Sequence, residues 1–149
     1  MADLSYNGSC LCGQVRFRVT AEPLITMACH CRGCQKLTSS AYSLSALTQE
    51  GAFEVTEGEP VIGGLHGPVR HFHCDWCKSW LFTRLEGGFV NVRTSMLDAA
   101  EAFPPFLESM TAEKLSWATT PAVHSYEGFP AGEEYPALMA AYAERERLS

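Results

Sequence analysis

The chain of 149 residues has no surplus of positive charge: eleven Lys and Arg stand against seventeen Asp and Glu, for a net charge of -6 and a sequence pI near 5.3. A nucleic-acid module is expected to show a basic patch and a pI above about 9, so nucleic acid is not an expected partner. The acidity is local: residues 1 to 93 hold eight basic and eight acidic side chains, and residues 94 to 149 hold three and nine. Also missing is any apolar run approaching the ~20 residues that span a bilayer. The start, Met1-Ala-Asp-Leu-Ser-Tyr-Asn7, has neither the basic nor the apolar stretch of a secretory leader. These absences point away from a membrane partner and towards a cytoplasmic protein. No repeat recurs at a fixed period and no linker breaks the composition, so 1–149 reads as a single domain, with 46% hydrophobic residues to form its core.

An even cysteine count is missing too. Seven cysteines leave one unpaired in any disulfide scheme, and the cytoplasm keeps thiols reduced. What is there instead is clustering: Cys10-Leu-Cys12, Cys29-His-Cys31-Arg-Gly-Cys34 and Cys74-Asp-Trp-Cys77. This is the spacing of thiolates gathered around metal ions, with Zn²⁺ as the expected ion. A structural zinc takes four such ligands in a closed tetrahedron, whereas a catalytic zinc keeps three and one open position. Seven divides as four plus three. Cys29, Cys31 and Cys34 lie within six residues and can curl around one ion. On an extended segment Cys10 and Cys12 point to the same side, and a turn through Cys74 and Cys77 can supply the opposing pair. Another pairing, Cys10 and Cys12 with Cys29 and Cys31, is compatible with the sequence but leaves three thiols without a compact site.

The rest of the pattern is that of a β protein. Gln14 to Thr20 alternates strictly, with Val15, Phe17 and Val19 on one face. Leu24 to Ala28, Ala41 to Leu47, Phe53 to Thr56, Val69 to Cys74, Trp80 to Leu85 and Phe89 to Arg93 read as further short strands. They are bounded by Gly51, Gly58, Gly63-Gly64, Gly67-Pro68 and Gly87-Gly88. This spacing predicts an antiparallel, mainly β fold. Met96 to Phe103 reads as a short helix or loop, and Ala118 to Pro130 as connection. Pro136 to Leu148 reads as a C-terminal helix, with Glu133 and Glu134 before it and Leu138, Met139, Tyr142 and Leu148 as its apolar stripe.

Three stretches, Gly8-Ser-Cys-Leu-Cys-Gly-Gln-Val-Arg-Phe17, Cys29-His-Cys-Arg-Gly-Cys-Gln-Lys36 and Phe72-His-Cys-Asp-Trp-Cys77 followed by Leu81-Phe82, carry a family signature. Over about residues 5 to 120 the chain resembles the glutathione-dependent formaldehyde-activating enzymes, a family that also contains centromere protein V. The resemblance implies an Mss4-like β fold with two zinc sites. Cys10, Cys12, Cys74 and Cys77 match the structural ligands; Cys29, Cys31 and Cys34 match the open, catalytic site, whose occupancy can be partial. It also implies an activity, the condensation of glutathione with formaldehyde to S-(hydroxymethyl)glutathione, a carbon-sulfur lyase reaction in reverse, and hence a small thiol as partner. Three positions depart from the family's pattern. Lys78 stands where glycine is common, Ser39 where Thr-Gly-Ser is usual, and Pro105-Phe-Leu-Glu-Ser109 where many members have a Pro-x-x-His-Ile type of sequence.

Three thiolates around Zn²⁺ leave a net charge of about -1, which weakens the ion towards water and favours a soft fourth ligand. A substrate thiol held there can lose its proton and attack an aldehyde, provided that a donor meets the developing alkoxide. Sequence proximity nominates His30, Gln35, Ser39 and Ser40 as donors, and Arg32 and Lys36 for glutathione carboxylates. For His30 a solvent-facing structural place is the favoured reading. His71 and His73 read as structural, and Trp76, Trp80 and Trp117 as core packing. Two other functions fit the cysteines: a non-catalytic zinc-binding interaction module, and a redox protein cycling disulfides.

Overall fold

A computed structural model describes residues 4–63 and 67–146. In chain order the elements are β1 (Tyr6–Ser9), β2 (Arg16–Val19), β3 (Ile25–Cys29), α1 (Arg32–Thr38), β4 (Ser43–Gln49), β5 (Phe53–Glu57) and β6 (Val61–Ile62). They continue with β7 (Arg70–His73), β8 (Trp80–Leu85), β9 (Phe89–Val92), β10 (Leu107–Ser109), β11 (His124–Ser125) and α2 (Tyr135–Ala143). β1, β2 and β5 form a small antiparallel sheet, and the other eight strands a second sheet in the order β11-β10-β3-β4-β9-β8-β7-β6. The fold is mainly antiparallel β with a short C-terminal helix, as the alternation and turn spacing predict.

The two largest hydrophobic clusters among the described residues hold these layers. Alternation in β2 turns Phe17 and Val19 inward, where with Phe53 they meet Leu81, Phe82, Val90 and Val92 of the large sheet. Complete burial of a side chain such as Phe17 or Phe82 contributes about 1.5–3 kcal/mol. Gly8 lies under the Phe17 ring, with no room for a Cβ. On the other side Ile25, Leu47 and Leu107 pack against Leu138 and Tyr142 of α2. That helix is prepared by a turn at Gly132–Glu134, where the Ala131 amide donates to the Glu134 carboxylate at 2.8 Å, and it places Pro136 in its first turn.

Some elements differ from expectation. β10 pairs in parallel with both β3 and β11, and β11 lies in the stretch read as connection. The two strands are three and two residues long and carry Glu108, Ser109, His124 and Ser125, so no apolar alternation marks them. β1, β6 and α1 also lack a periodic signal long enough to detect. Met96 to Phe103 becomes 3₁₀ turns at Thr94–Met96 and Ala100–Ala102. The C-terminal helix ends at Ala143, and Leu148 lies outside the described residues.

Candidate metal centres and the adjoining cavity

The first centre joins the loop after β1 to the β7–β8 turn. The sulfurs of Cys10, Cys12, Cys74 and Cys77 all lie within 4.8 Å of one another, with Cys10–Cys12 at 3.6 Å and Cys12–Cys74 at 3.7 Å. Four thiolates about 2.3 Å from a tetrahedral zinc sit roughly 3.8 Å apart, so the sulfurs already have the spacing the ion requires. Backbone amides orient them: Val15 N–H donates to Cys10 Sγ at 3.3 Å and Cys77 N–H to Cys74 Sγ at 3.5 Å. Ser79 ties the two loops together, its hydroxyl accepting from the Leu11 amide at 3.1 Å and lying 3.2 Å from Cys77 Sγ. Four sulfurs this close cannot all carry charge without a cation. Burial opposes the Cys77 thiolate, yet the Ser79 side chain and backbone and the Cys12 amide outweigh it and hold this thiol at about 5. The Gln14 backbone favours the Cys12 thiolate, but burial and the other three sulfurs push it up to about 11.

The second centre sits where β3 runs into α1. Cys29 ends the strand, Cys31 caps the helix by accepting from the Cys34 amide at 3.2 Å, and Cys34 lies one turn on. Their sulfurs too lie within 4.8 Å of one another. Cys29 is flanked in the sheet by Ser43 of β4 and Ser109 of β10. Hydrogen bonding from Cys34 holds the Cys29 thiol at about 5 against its burial, aided by the Cys31 backbone and the Ser109 hydroxyl. The same contact, with burial, pushes Cys34 up, and burial pushes up Cys31. Three sulfurs this close cannot all carry charge without a cation. The donor sets of both clusters suit a soft or borderline divalent metal.

The two centres differ in what adjoins them. Cys29 and Cys34 line a cavity of about 560 Å³ that includes none of the other five cysteines. Alternate residues from six neighbouring strands form its floor: Ser109, Met27, Ser43, Ser45 and Leu47, Phe89 and Asn91, Thr83 and Leu85, and His71. Tyr135, Pro136 and Met139 at the start of α2 close it from the side. Just beyond β9, on the face of Phe89 and Asn91, Arg93 enters the cavity wall, 7% exposed. Its guanidinium carbon lies 4.0 Å from the centre of the Trp80 ring, and Nη2 is 3.5 Å from Thr83 Oγ1. Burial pulls the guanidinium down to about 10, opposed by the charge of Cys34 and Cys29. The Thr83 hydroxyl also accepts from Trp80 Nε1 at 3.2 Å and lies 2.7 Å from His71 Nδ1. With both lone pairs engaged, its proton goes to His71 Nδ1, so His71 carries its own proton on Nε2.

Most of the neighbours nominated from the sequence serve structure. His30 is completely buried, in contrast to its expected solvent-facing place, because the β3–α1 turn drives its ring against Tyr42 and Glu108. Its Nε2 lies 2.8 Å from Glu108 Oε1, and Glu108 also accepts from Ser125 at 2.6 Å and Thr120 at 3.2 Å. The Gln35 amide donates to the carbonyls of His30 and Glu113, at 2.8 and 3.1 Å, and so clamps the loop. Arg32, Lys36, Ser39 and Ser40 line a separate surface depression with Trp117. Trp80 is core, buried between His71 and His73, but Trp76 and Trp117 are 75% and 71% exposed, not core. The residues that sequence reasoning missed are Arg93, Asn91, Ser43, Ser109 and Tyr135. A signal existed for two of them: in Phe89-Val-Asn-Val-Arg93 the polar residues alternate with two buried valines, which puts them on one face.

Comparison with known proteins bears on this geometry. The sequence profile of the glutathione-dependent formaldehyde-activating enzymes matches residues 5–113, a span containing all seven cysteines. The chain belongs to that family. A Halomonas elongata protein, provisionally named a glutathione-dependent formaldehyde-activating enzyme, is 32% identical over 108 residues, which cover 66% of this chain and 69% of that one. A crystal structure of a Rhodobacter sphaeroides protein superposes with a TM-score of 0.52 at 19% identity, over 62% of this chain and 87% of that one, and supports the fold alone. The match ends at residue 113, before β11 and α2, so the α2 wall of the cavity lies outside the matched span.

Proposed function

We propose that the chain is a zinc-dependent carbon-sulfur lyase of the formaldehyde-activating type, joining a small thiol to an aldehyde and releasing it again, with glutathione as the thiol. In this reading Cys10, Cys12, Cys74 and Cys77 hold a structural zinc, and Cys29, Cys31 and Cys34 hold a catalytic one. Residues 1–149 work as one domain, in the reducing environment of the cytoplasm. The observation that carries the proposal is the contrast between the centres: four thiols interlocked by two loops, against three thiols of which two line a cavity.

A zinc bound to the three thiolates would supply a position where a substrate sulfur is held deprotonated. The chain's own groups do the rest. The Cys34 amide fixes Cys31, and Ser43 and Ser109 bracket Cys29, so the triad keeps its shape through exchange of the fourth partner. Arg93 places one positive charge beside a ligand set whose net charge with Zn²⁺ is about -1. Exchange of formaldehyde with its glutathione adduct, followed by NMR, tests the reading: zinc-replete protein should accelerate it and Cys31→Ser should not. Equal rates with and without the wild-type protein would reject it.

A further inference from the structure

We propose that the cavity beside Cys29 and Cys34 takes an aldehyde with an apolar body, aryl or medium-chain alkyl, and that Arg93 holds the aldehyde oxygen. This rests on the carbon-sulfur reading above and names the class of its electrophile.

The first argument is size. A volume of about 560 Å³ falls in the range of drug-sized ligand sites, whereas formaldehyde, with two heavy atoms, would leave it almost empty. The second is the character of the wall. Met27, Leu47, Leu85, Phe89, Phe129 and Met139 line it, and among the described residues no carboxylate does. Among the described residues Arg93 is its one permanently charged side chain. The peptide portion of glutathione, with two carboxylates and an ammonium group, would find one partner for three charges. An apolar body would find partners in those six side chains, beside the polar floor. Glutathione therefore presents its sulfur from outside, and the cavity is left to the electrophile.

The third argument concerns polar groups. Arg93 Nε and Asn91 Oδ1 are both buried without a hydrogen-bond partner. A buried unpaired donor is costly, so a ligand oxygen that accepts from it gains more than it would in water. The reaction needs such a donor at one atom. The thiolate sulfur adds to the carbonyl carbon, the C–S bond forms, and the C=O π pair moves onto oxygen. That alkoxide takes the proton the thiol released, with no oxidant or reductant involved. Arg93 keeps its own proton throughout and donates a hydrogen bond to the oxygen as charge develops.

The probe is 3-phenylpropan-1-ol, an unreactive counterpart of 3-phenylpropanal, titrated into zinc-replete full-length protein in which Trp76→Phe and Trp117→Phe leave Trp80 as the sole tryptophan. Saturable quenching of Trp80 is expected, unaffected by glutathione. Binding should weaken about tenfold or more in Arg93→Met and in Met139→Lys, and Arg93→Lys should restore part of it. Met139 is half-buried on α2, so its variant keeps the test open if Arg93→Met fails to fold. With glutathione present, kcat/KM for 3-phenylpropanal should exceed that for formaldehyde at least tenfold, and Arg93→Met should reduce it about a hundredfold. Absence of saturable binding, or equal binding in Met139→Lys, would overturn the proposal, as would a formaldehyde kcat/KM equal to or above that of 3-phenylpropanal. Binding that depends on Met139 and Arg93 without turnover of either aldehyde would uphold the cavity's ligand class and defeat the carbon-sulfur reading instead.

Discussion

Ser39 and Lys78 adopt the left-handed backbone region, at φ 52° and 64°, where a side chain meets the carbonyl that follows it. Both end structures that hold thiols: Ser39 is the C-cap of α1, and Lys78 follows Cys77 in the β7–β8 turn. Relief of strain outweighs the greater freedom of glycine in the unfolded chain, so each of Ser39→Gly and Lys78→Gly should stabilise by about 0.5 kcal/mol. Together they should raise the Tm of zinc-replete protein by about 2–4 °C. A fall would show that the exposed Lys78–Asp75 ion pair, at 3.0 Å, outweighs the strain. Glu108 gives a second test at this scale. Burial opposes its charge, but hydrogen bonds from Ser125, His30 and Thr120 hold the carboxyl below its usual value. Its contribution is therefore full above the ordinary carboxylate value of about 4.3 and is lost as pH falls through the lower folded value. Urea unfolding of Glu108→Gln should show lower stability at pH 7 and a shallower loss below pH 4 than wild type; parallel curves would remove Glu108 from the acid response.

Among the elements, the β7–β8 turn has the widest reach, because its two cysteines meet the loop after β1 and link the small sheet to the large one. Metal binding at a closed thiolate site is coupled directly to folding. Cys74→Ser or Cys77→Ser should therefore lower the stability of the whole protein by about 3 kcal/mol or more, measured by thermal unfolding with zinc present. Cys31→Ser should leave most of the fold intact and lose one metal equivalent. Global unfolding in Cys31→Ser with a stable Cys74→Ser would reverse the roles of the two centres. The same scale shows what was legible in advance. β2 and β9 were readable because their apolar residues alternate against one packed cluster, and β8 because Trp80-Leu-Phe82 forms a short apolar run into it. β10 and β11 were not: β10 pairs in parallel with β3, from a distant part of the chain, and Glu108 and Ser125 serve the His30–Glu108 network, not a core. α1 is one turn of helix longer than its ligand spacing requires, and nothing in Cys29-x-Cys31-x-x-Cys34 separates helix from turn.

For the whole molecule, the partition of seven cysteines into four and three was open to a reading of spacing, since ligands clustered in sequence have few ways to gather in space. The cavity was not. It is assembled from alternate residues of six strands and one helix, and no short motif records which strands become neighbours. His30 illustrates the limit most directly, since its place was decided by Glu108, 78 residues away. No described helix is long and apolar enough to cross a membrane. The functional question rests on the two centres and the cavity. The measurement that addresses them most directly is native mass spectrometry of protein purified under reducing conditions with zinc supplied. Two zinc ions per chain are expected, falling to one in Cys31→Ser with the fold retained. A single zinc in wild type that Cys31→Ser leaves in place, or a mass showing disulfides among Cys29, Cys31 and Cys34, would contradict the account.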